Sequence, residues 1–248
     1  MSVSIIMTVF NKGDVLPYVM DSIFDQGFAD LEVVVVDDGS TDNSREILLG
    51  YDVVYRYLDR PGWANPAMAK NIGYSIAKND IFIIQSAEVV HGTPGVIEKL
   101  AKVKDGQAFI ASCHNVVSHA DRRVKAVYSN ATNKKKPFFF LGSIRKEAVL
   151  GIGGDSEDFI GPGHEDAWFA YCLEFGRGID FYYFDDCVGH HLEHPRDHDK
   201  AGVRATHDVY HEKVRAAQAF EIPYFNYGIK YRDYAKDQPD QVIMPIVN

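Results

Sequence analysis

The chain of 248 residues is short of cysteine, of long apolar runs and of positive charge, and each shortage excludes something. Its three cysteines, Cys113, Cys172 and Cys187, are widely spaced with no CxxC pair. That pattern gives neither a disulfide framework nor a thiolate zinc site, and leaves buried reduced thiols as the expectation. No run approaches the ~18 apolar residues of a membrane span, and the N-terminus has no basic segment leading into an apolar core. A cytoplasmic, soluble protein with no transmembrane segment is therefore expected. Lysine and arginine number 26 against 35 aspartates and glutamates, a formal charge of −9, which disfavours a broad grip on nucleic acid or an anionic membrane. No GxGxxG follows the first apolar run, which argues against a dinucleotide-binding Rossmann fold. What is left, 46% hydrophobic and 25% charged, can bury a full core in one α/β domain.

The chain is organised around Leu31 to Asp42, in which the valines at 33 to 36 are followed by Asp37, Asp38, Gly39, Ser40, Thr41 and Asp42. A short β-branched run without charge reads as a strand buried on both faces, as in a parallel sheet. Gly39 supplies a tight turn, and Ser40, Thr41 or Asp42 can cap a helix starting near Ser44. Asp37 and Asp38 then sit at the carboxyl edge of the sheet, where open α/β folds bind ligands, although such acids also serve simply to solvate a turn. Upstream, Val3 to Phe10 reads as a first central strand that Asn11 breaks. Leu16, Val19, Met20, Ile23 and Phe24 follow at helical spacing, so the β-α-β order demands a right-handed crossover. Downstream come a strand at Val53 to Leu58, a helix from Pro66 to Ala77 and a buried strand at Ile81 to Ile84. A helix from Gly95 to Val103 and a strand from Ala108 to Ser112 come next. Residues 114 to 136 read as a polar loop ending in Lys134, Lys135 and Lys136, either solvated or a lid over a ligand, and Pro137 to Ser143 as an aromatic strand.

The segment Ser4-Ile5-Ile6-Met7-Thr8-Val9-Phe10-Asn11, followed by Val33 to Asp42, resembles the nucleotide-binding half of family 2 glycosyltransferases of the GT-A fold. The resemblance implies an α/β, Rossmann-like, mostly parallel sheet flanked by helices in a single domain. It also implies that Thr8, Phe10 and Asp38, with Asn11 and Asp37 beside them, bind a nucleotide diphosphate sugar; Phe10 stands where the family usually has Tyr. Ala69-Lys70-Asn71-Ile72-Gly73 looks like the family's A-[RK]-N-x-G segment, whose basic and amide side chains face the nucleotide, whereas an arbitrary lysine there would lie on a solvated helix face. At the end of the fourth strand the family carries Asp-x-Asp for a divalent metal, and this chain has Gln85-Ser86-Ala87-Glu88. Glu88 is the one carboxylate left there, a hard oxygen ligand for Mn²⁺ or Mg²⁺ that His91 could assist. The alternative is that Glu88 caps a helix near Thr93 and no metal binds.

A second region, Gly151 to Asp166, has repeated glycines, an acidic cluster and Gly163-His164-Glu165-Asp166 before a helix expected to run to Phe175. It resembles the acceptor half of galactosyltransferases and polypeptide GalNAc-transferases. In inverting members the second acid of Glu165-Asp166 takes the acceptor's proton, although acids at a helix start also suit its dipole. Six of the ten histidines lie between His190 and His211. Val188-Gly189-His190, after a strand at Phe181 to Phe184, resembles the segment in which a distant histidine completes the metal site. His190 is thus the expected ligand beside Glu88, with His191 and His194 as substitutes. The expectation is a donor half at 1–113, an acceptor and metal half at 114–220 carrying a helix from Ala201 to Phe220, and a C-terminal extension at 221–248. The implied reaction moves a sugar, from a UDP-sugar by preference, to an acceptor hydroxyl with inversion. A nucleotidyltransferase and a non-catalytic nucleotide-sugar binder remain as alternatives, and a glycan, a protein or a modified base as acceptors.

Overall fold

The structure is a computed structural model that describes residues 1–194, 200–226 and 242–243. Its centre is a parallel set in which β1 (Val3–Val9) lies between β2 (Leu31–Asp37) and β4 (Ile81–Ser86), with β3 (Val54–Tyr57) outside β2. The valine run pairs residue for residue with β1, Val33 opposite Ile5 and Val36 opposite Thr8. Strand alternation sends successive side chains to opposite faces. Ile5, Met7, Val33 and Val35 accordingly join one apolar cluster, with Leu16, Val19, Met20 and Ile23 of α1 (Leu16–Phe24). Ile6, Val34, Phe82 and Ile84 join another, with Tyr74, Trp168 and Phe169. Both faces being covered is why these strands carry no alternating polar residues.

Beyond β4 the sheet becomes mixed. Its order is β10-β3-β2-β1-β4-β8-β6-β9-β5, with β7 on β6. These strands are β5 (Val89–His91), β6 (Gln107–Val116), β7 (Val124–Ser129), β8 (Leu141–Arg145), β9 (Asp180–Leu192) and β10 (Val242–Ile243). β8 runs antiparallel to both β4 and β6, whereas β9 runs parallel to β6. The remaining helices are α2 (Ser44–Leu48), α3 (Ala67–Ile76), α4 (Val96–Leu100), α5 (Lys146–Gly151), α6 (Glu165–Tyr171), which widens into a π-turn at Cys172–Gly176, and α7 (Lys200–Gln218). Residue 113 lies inside β6, so the two expected halves share one sheet.

Several expected elements shift. The polar stretch 114–136 holds the end of β6 and all of β7, whose first three residues are exposed, so no apolar alternation marked it as a strand. The aromatic segment expected as a strand at 137–143 enters the sheet only at Leu141. The short strand expected at Phe181 to Phe184 is the start of a 13-residue strand that carries His190 and His191. Of the expected C-terminal extension, residues 227–241 and 244–248 lie outside the described residues. Its first part is stitched into the core: Asn226 is buried, its Oδ1 accepts from Trp168 Nε1 at 2.7 Å, and its Nδ2 donates to Gly154 O at 2.7 Å. Asn226→Ala would leave both partners unsatisfied, each costing about 1–3 kcal/mol. Urea unfolding should show a loss on the order of 2 kcal/mol, and an unchanged midpoint would place Asn226 outside the core.

Candidate active site

The carboxyl ends of β1, β2 and β4 open on one cleft of about 450 Å³. Its walls include Thr8, Phe10, Lys12, Asp38, Lys70, Glu88, Glu165, Asp166, His191 and His194. The two aspartates at the tip of β2 play different parts. Asp37 is fully buried; its Oδ1 accepts the Ser40 N–H at 2.8 Å and its Oδ2 the Tyr55 hydroxyl at 2.7 Å. Asp38 is left to face the cleft, its backbone N–H fixed on Val9 O at 2.7 Å and its Oδ1 3.2 Å from Arg60 Nη1. Burial pushes the Asp38 carboxyl up to about 6, against the pull of Arg60 and with a further push from Asp37. Gly39 permits this crowding: at φ +92° its absent Cβ would stand 2.2 Å from Arg60 O.

Asn11 and Asn71, like Asp37, are not among the residues that line the cleft. Asn11, at φ 50°, clasps the two loops by accepting the Thr41 N–H at 2.8 Å and the Asp42 N–H at 3.3 Å. Asn71 spans α3 and the 155–157 turn, donating to Asp155 O at 2.9 Å and Glu157 Oε1 at 2.8 Å and accepting the Asp155 N–H at 2.8 Å. Its neighbour Lys70 does line the cleft. Gly73 sets this geometry, because a Cβ there would meet Ile6 Cγ2 at 2.7 Å, so α3 lies directly on β1.

Lys70 Nζ stands 3.3 Å from Asp155 Oδ1 and 3.8 Å from Glu165 Oε1. Burial opposes its charge, but Asp155, Glu165 and Asp166 together hold its pKa above the ordinary lysine value. Asp155 also takes the Tyr74 hydroxyl at 2.8 Å. Glu165 is held further by Asn65 Nδ2, 3.3 Å from its Oε2. Asp166 accepts the Ala167 N–H at 2.7 Å and is more open to the cleft. Burial, with the Glu165 carboxylate beside it and Lys70 opposing, pushes the Asp166 carboxyl up to about 7. Asn65, Arg60 and Asp155 were not singled out from the sequence; they lie in irregular loops whose partners are distant along the chain.

Of the histidines expected beside Glu88, the structure brings His191 and His194 to it and turns His190 away. In β9 successive side chains alternate, so His190 and His191 face opposite sides. His190 Nδ1 accepts from Arg122 Nη1 at 2.7 Å, while His191 enters the cleft against Tyr128 and Phe140. Among the described residues, Glu88, His191 and His194 form a group whose ligand atoms all lie within 4.8 Å of one another. One carboxylate and two imidazoles suit Mn²⁺, so the residues present fit a divalent ion. Burial opposes ionisation of Glu88, but Lys12, His191 and His194 together hold its pKa below the ordinary value. Glu88 caps no helix, since β5 follows it at once. His91 lies outside that group: it is buried in β5 with its Nε2–H on Gln85 Oε1 at 2.9 Å, and burial pushes its pKa down to about 3. Gln85, standing where an acid was expected, thus serves the scaffold.

Residues 4–155 match the family described as glycosyl transferase family 2. The chain belongs to that family. GlyG of Streptococcus pneumoniae, named a glycosyltransferase, is 33% identical over 120 residues, which is 46% of this chain and 39% of GlyG. The chain thus spans about two fifths of that relative's length. Among solved structures, mannosyltransferase PcManGT from Pyrobaculum calidifontis in complex with GDP-Man and Mn²⁺ has a TM-score of 0.62 at 20% identity, covering 95% of this chain and 69% of PcManGT. TarS of S. aureus in complex with UDP-GlcNAc has a TM-score of 0.61 at 16% identity, covering 80% of this chain and 60% of TarS. These likenesses establish the mixed α/β, GT-A-like fold of this family 2 chain.

The raised Asp38 pKa makes the stability of the fold depend on pH. Folded Asp38 holds its proton up to about pH 6, against 3.8 for an ordinary aspartate, so its protonated form favours folding. That contribution is complete below the unfolded value and is lost as pH rises through the folded one. Asp38→Asn should therefore gain on wild type by on the order of 2 kcal/mol between pH 4 and pH 7, read by urea unfolding without ligand. A difference that is flat with pH would show that Asp38 is not destabilised by its burial.

Proposed function

We propose that this family 2 chain transfers a sugar from a nucleotide diphosphate sugar, uridine-linked, to an acceptor hydroxyl with inversion. The observation that carries the reading is the single cleft that holds Asp38 at the tip of β2 and Asp166 at the start of α6. A nucleoside at Thr8, Phe10 and Asp38 directs its diphosphate and sugar toward the Glu88 side and the acids of α6. The fold likeness to TarS and PcManGT, whose structures hold UDP-GlcNAc and GDP-Man, supports a nucleotide sugar as donor. The donor half is residues 1–113, the acceptor half 114–220, and the start of α6 serves the acceptor as in galactosyltransferases. Three buried free thiols suit the reducing cytoplasm.

Asp166 takes the proton of the acceptor hydroxyl as that oxygen bonds to the anomeric carbon. The bond from that carbon to the diphosphate breaks, and the electron pair leaves with the diphosphate. A carboxyl raised toward neutrality is well matched to this work near pH 7. Glu165, held by Lys70 and Asn65, keeps the helix start in place, and Lys70 holds the charge of the neighbouring acids in balance. Glu88, His191 and His194 would hold Mn²⁺ or Mg²⁺, which when bound supplies positive charge beside the departing diphosphate.

Ligand binding, product analysis and one substitution in the acceptor acid test the reading. Wild type should be stabilised by UDP by roughly 2.7 kcal/mol at 100 times its dissociation constant, and Asp38→Ala should lose most of that; no shift with any nucleoside diphosphate would exclude a donor site. With UDP-sugars, release of UDP marks glycosyl transfer, and release of sugar phosphate would mark attack at phosphorus instead. Asp166→Asn should keep donor binding while losing about 10²- to 10⁴-fold in rate, with the wild-type product inverted at the anomeric carbon by NMR. Retention, or a fully active Asp166→Asn, would remove Asp166 from the base role.

A further inference from the structure

Lys12 was absent from the residues singled out in the sequence, yet it stands at the centre of the acidic end of the cleft. Its Nζ lies 2.8 Å from Glu88 Oε1 and 3.1 Å from His194 Nδ1, and His194 Nε2 is itself 3.5 Å from Glu88 Oε1. All three side chains are largely enclosed, 18%, 14% and 17% exposed respectively. The ammonium thus holds two of the three groups that converge as metal ligands, Glu88 and His194.

The fold aims Lys12 there from a backbone held on both sides. Asn11, with its positive φ, reverses the chain after β1. The Lys12 N–H then donates to Ser44 Oγ at 2.9 Å, and the next N–H, from Gly13, to Asp42 Oδ2 at 2.9 Å. With the backbone pinned on both sides, the position of the charge is decided by four side-chain torsions. An ammonium and a divalent ion on the same carboxylate oxygen repel strongly in an enclosed site, so the two exclude each other. The diphosphate of a donor in this cleft offers the ammonium a second anionic partner.

We propose that Lys12 is a resident cation that competes with the divalent ion for Glu88 and His194, and that a nucleoside diphosphate draws it off those ligands. The free protein then binds metal weakly, and the donor opens the site by taking the lysine. The inference rests on the cleft being the donor site. It makes the order of binding, donor before metal, a property of one side chain.

The test uses Mn²⁺ alone, with free ion read by electron paramagnetic resonance, and UDP alone, by calorimetry in excess chelator. Lys12→Met should bind Mn²⁺ at least tenfold tighter than wild type and UDP at least fivefold weaker. Lys12→Arg, which keeps the cation, should stay within about threefold of wild type in both. Lys12→Gln should behave as the methionine variant does, and serves if the latter does not fold. A purely structural lysine would not move the two affinities in opposite directions. Mn²⁺ affinity unchanged in Lys12→Met and Lys12→Gln overturns the inference while UDP binding by wild type leaves the donor site standing. No UDP binding by wild type overturns the donor site, and the inference with it.

Discussion

The Lys70 ammonium, enclosed among Asp155, Glu165 and Asp166, joins the two ends of the cleft, and much else in the site depends on it. Lys70 belongs to α3, which Gly73 seats on β1, while its partners belong to the 151–166 segment more than 80 residues later. A buried charge of this kind is tolerated only with full pairing, and removing one partner costs far more than the pair contributes. Full pairing is what the structure has: Asp155 takes Tyr74 and Lys70, Asn71 takes both backbone groups of Asp155, and Asn65 takes Glu165. The network thereby fixes where Asp166 stands relative to the tip of β2.

The same division of roles recurs along the cleft, where one of two neighbouring residues is tied more closely to the scaffold and the other faces the cleft. Asp37 closes its own turn and Asp38 faces the cleft; Glu165 is tied to α3 and the half-buried Asp166 lines the cleft; His190 pairs with Arg122 and His191 turns inward. In each pair a single backbone step decides the role, because it reverses the direction of the side chain or changes which loop lies over it. The site is therefore sensitive to register rather than to composition.

Most of the parallel half was legible in the sequence for a physical reason. Strands buried on both faces write an unbroken apolar run, and the helix between them writes a 3.6-residue stripe, so β1, α1, β2 and β4 lie where the residues put them. The mixed half was less legible. β7 is exposed along half its length, and β9 carries Asp185 and Asp186 at its register shift, where Asp185 anchors Ser112 and Ala131. An interrupted strand without alternation reads as a loop.

By itself the sequence determined which chemistry could be present: two acids after a valine strand, one carboxylate where paired acids were expected, an acidic helix start and a crowd of histidines. Those are local facts, set by residue type and by short-range backbone preference. Only the tertiary structure decided which of them meet. Lys12 and His194 are 182 residues apart, and nothing local to either predicts their contact. Whether His190 or His191 faces Glu88 turns on the pairing register of β5 with β9, Val90 opposite His190 and Val89 opposite His191. In a strand, one step of register exchanges the two faces, so which imidazole stands beside Glu88 belongs to the sheet and not to the sequence of either strand.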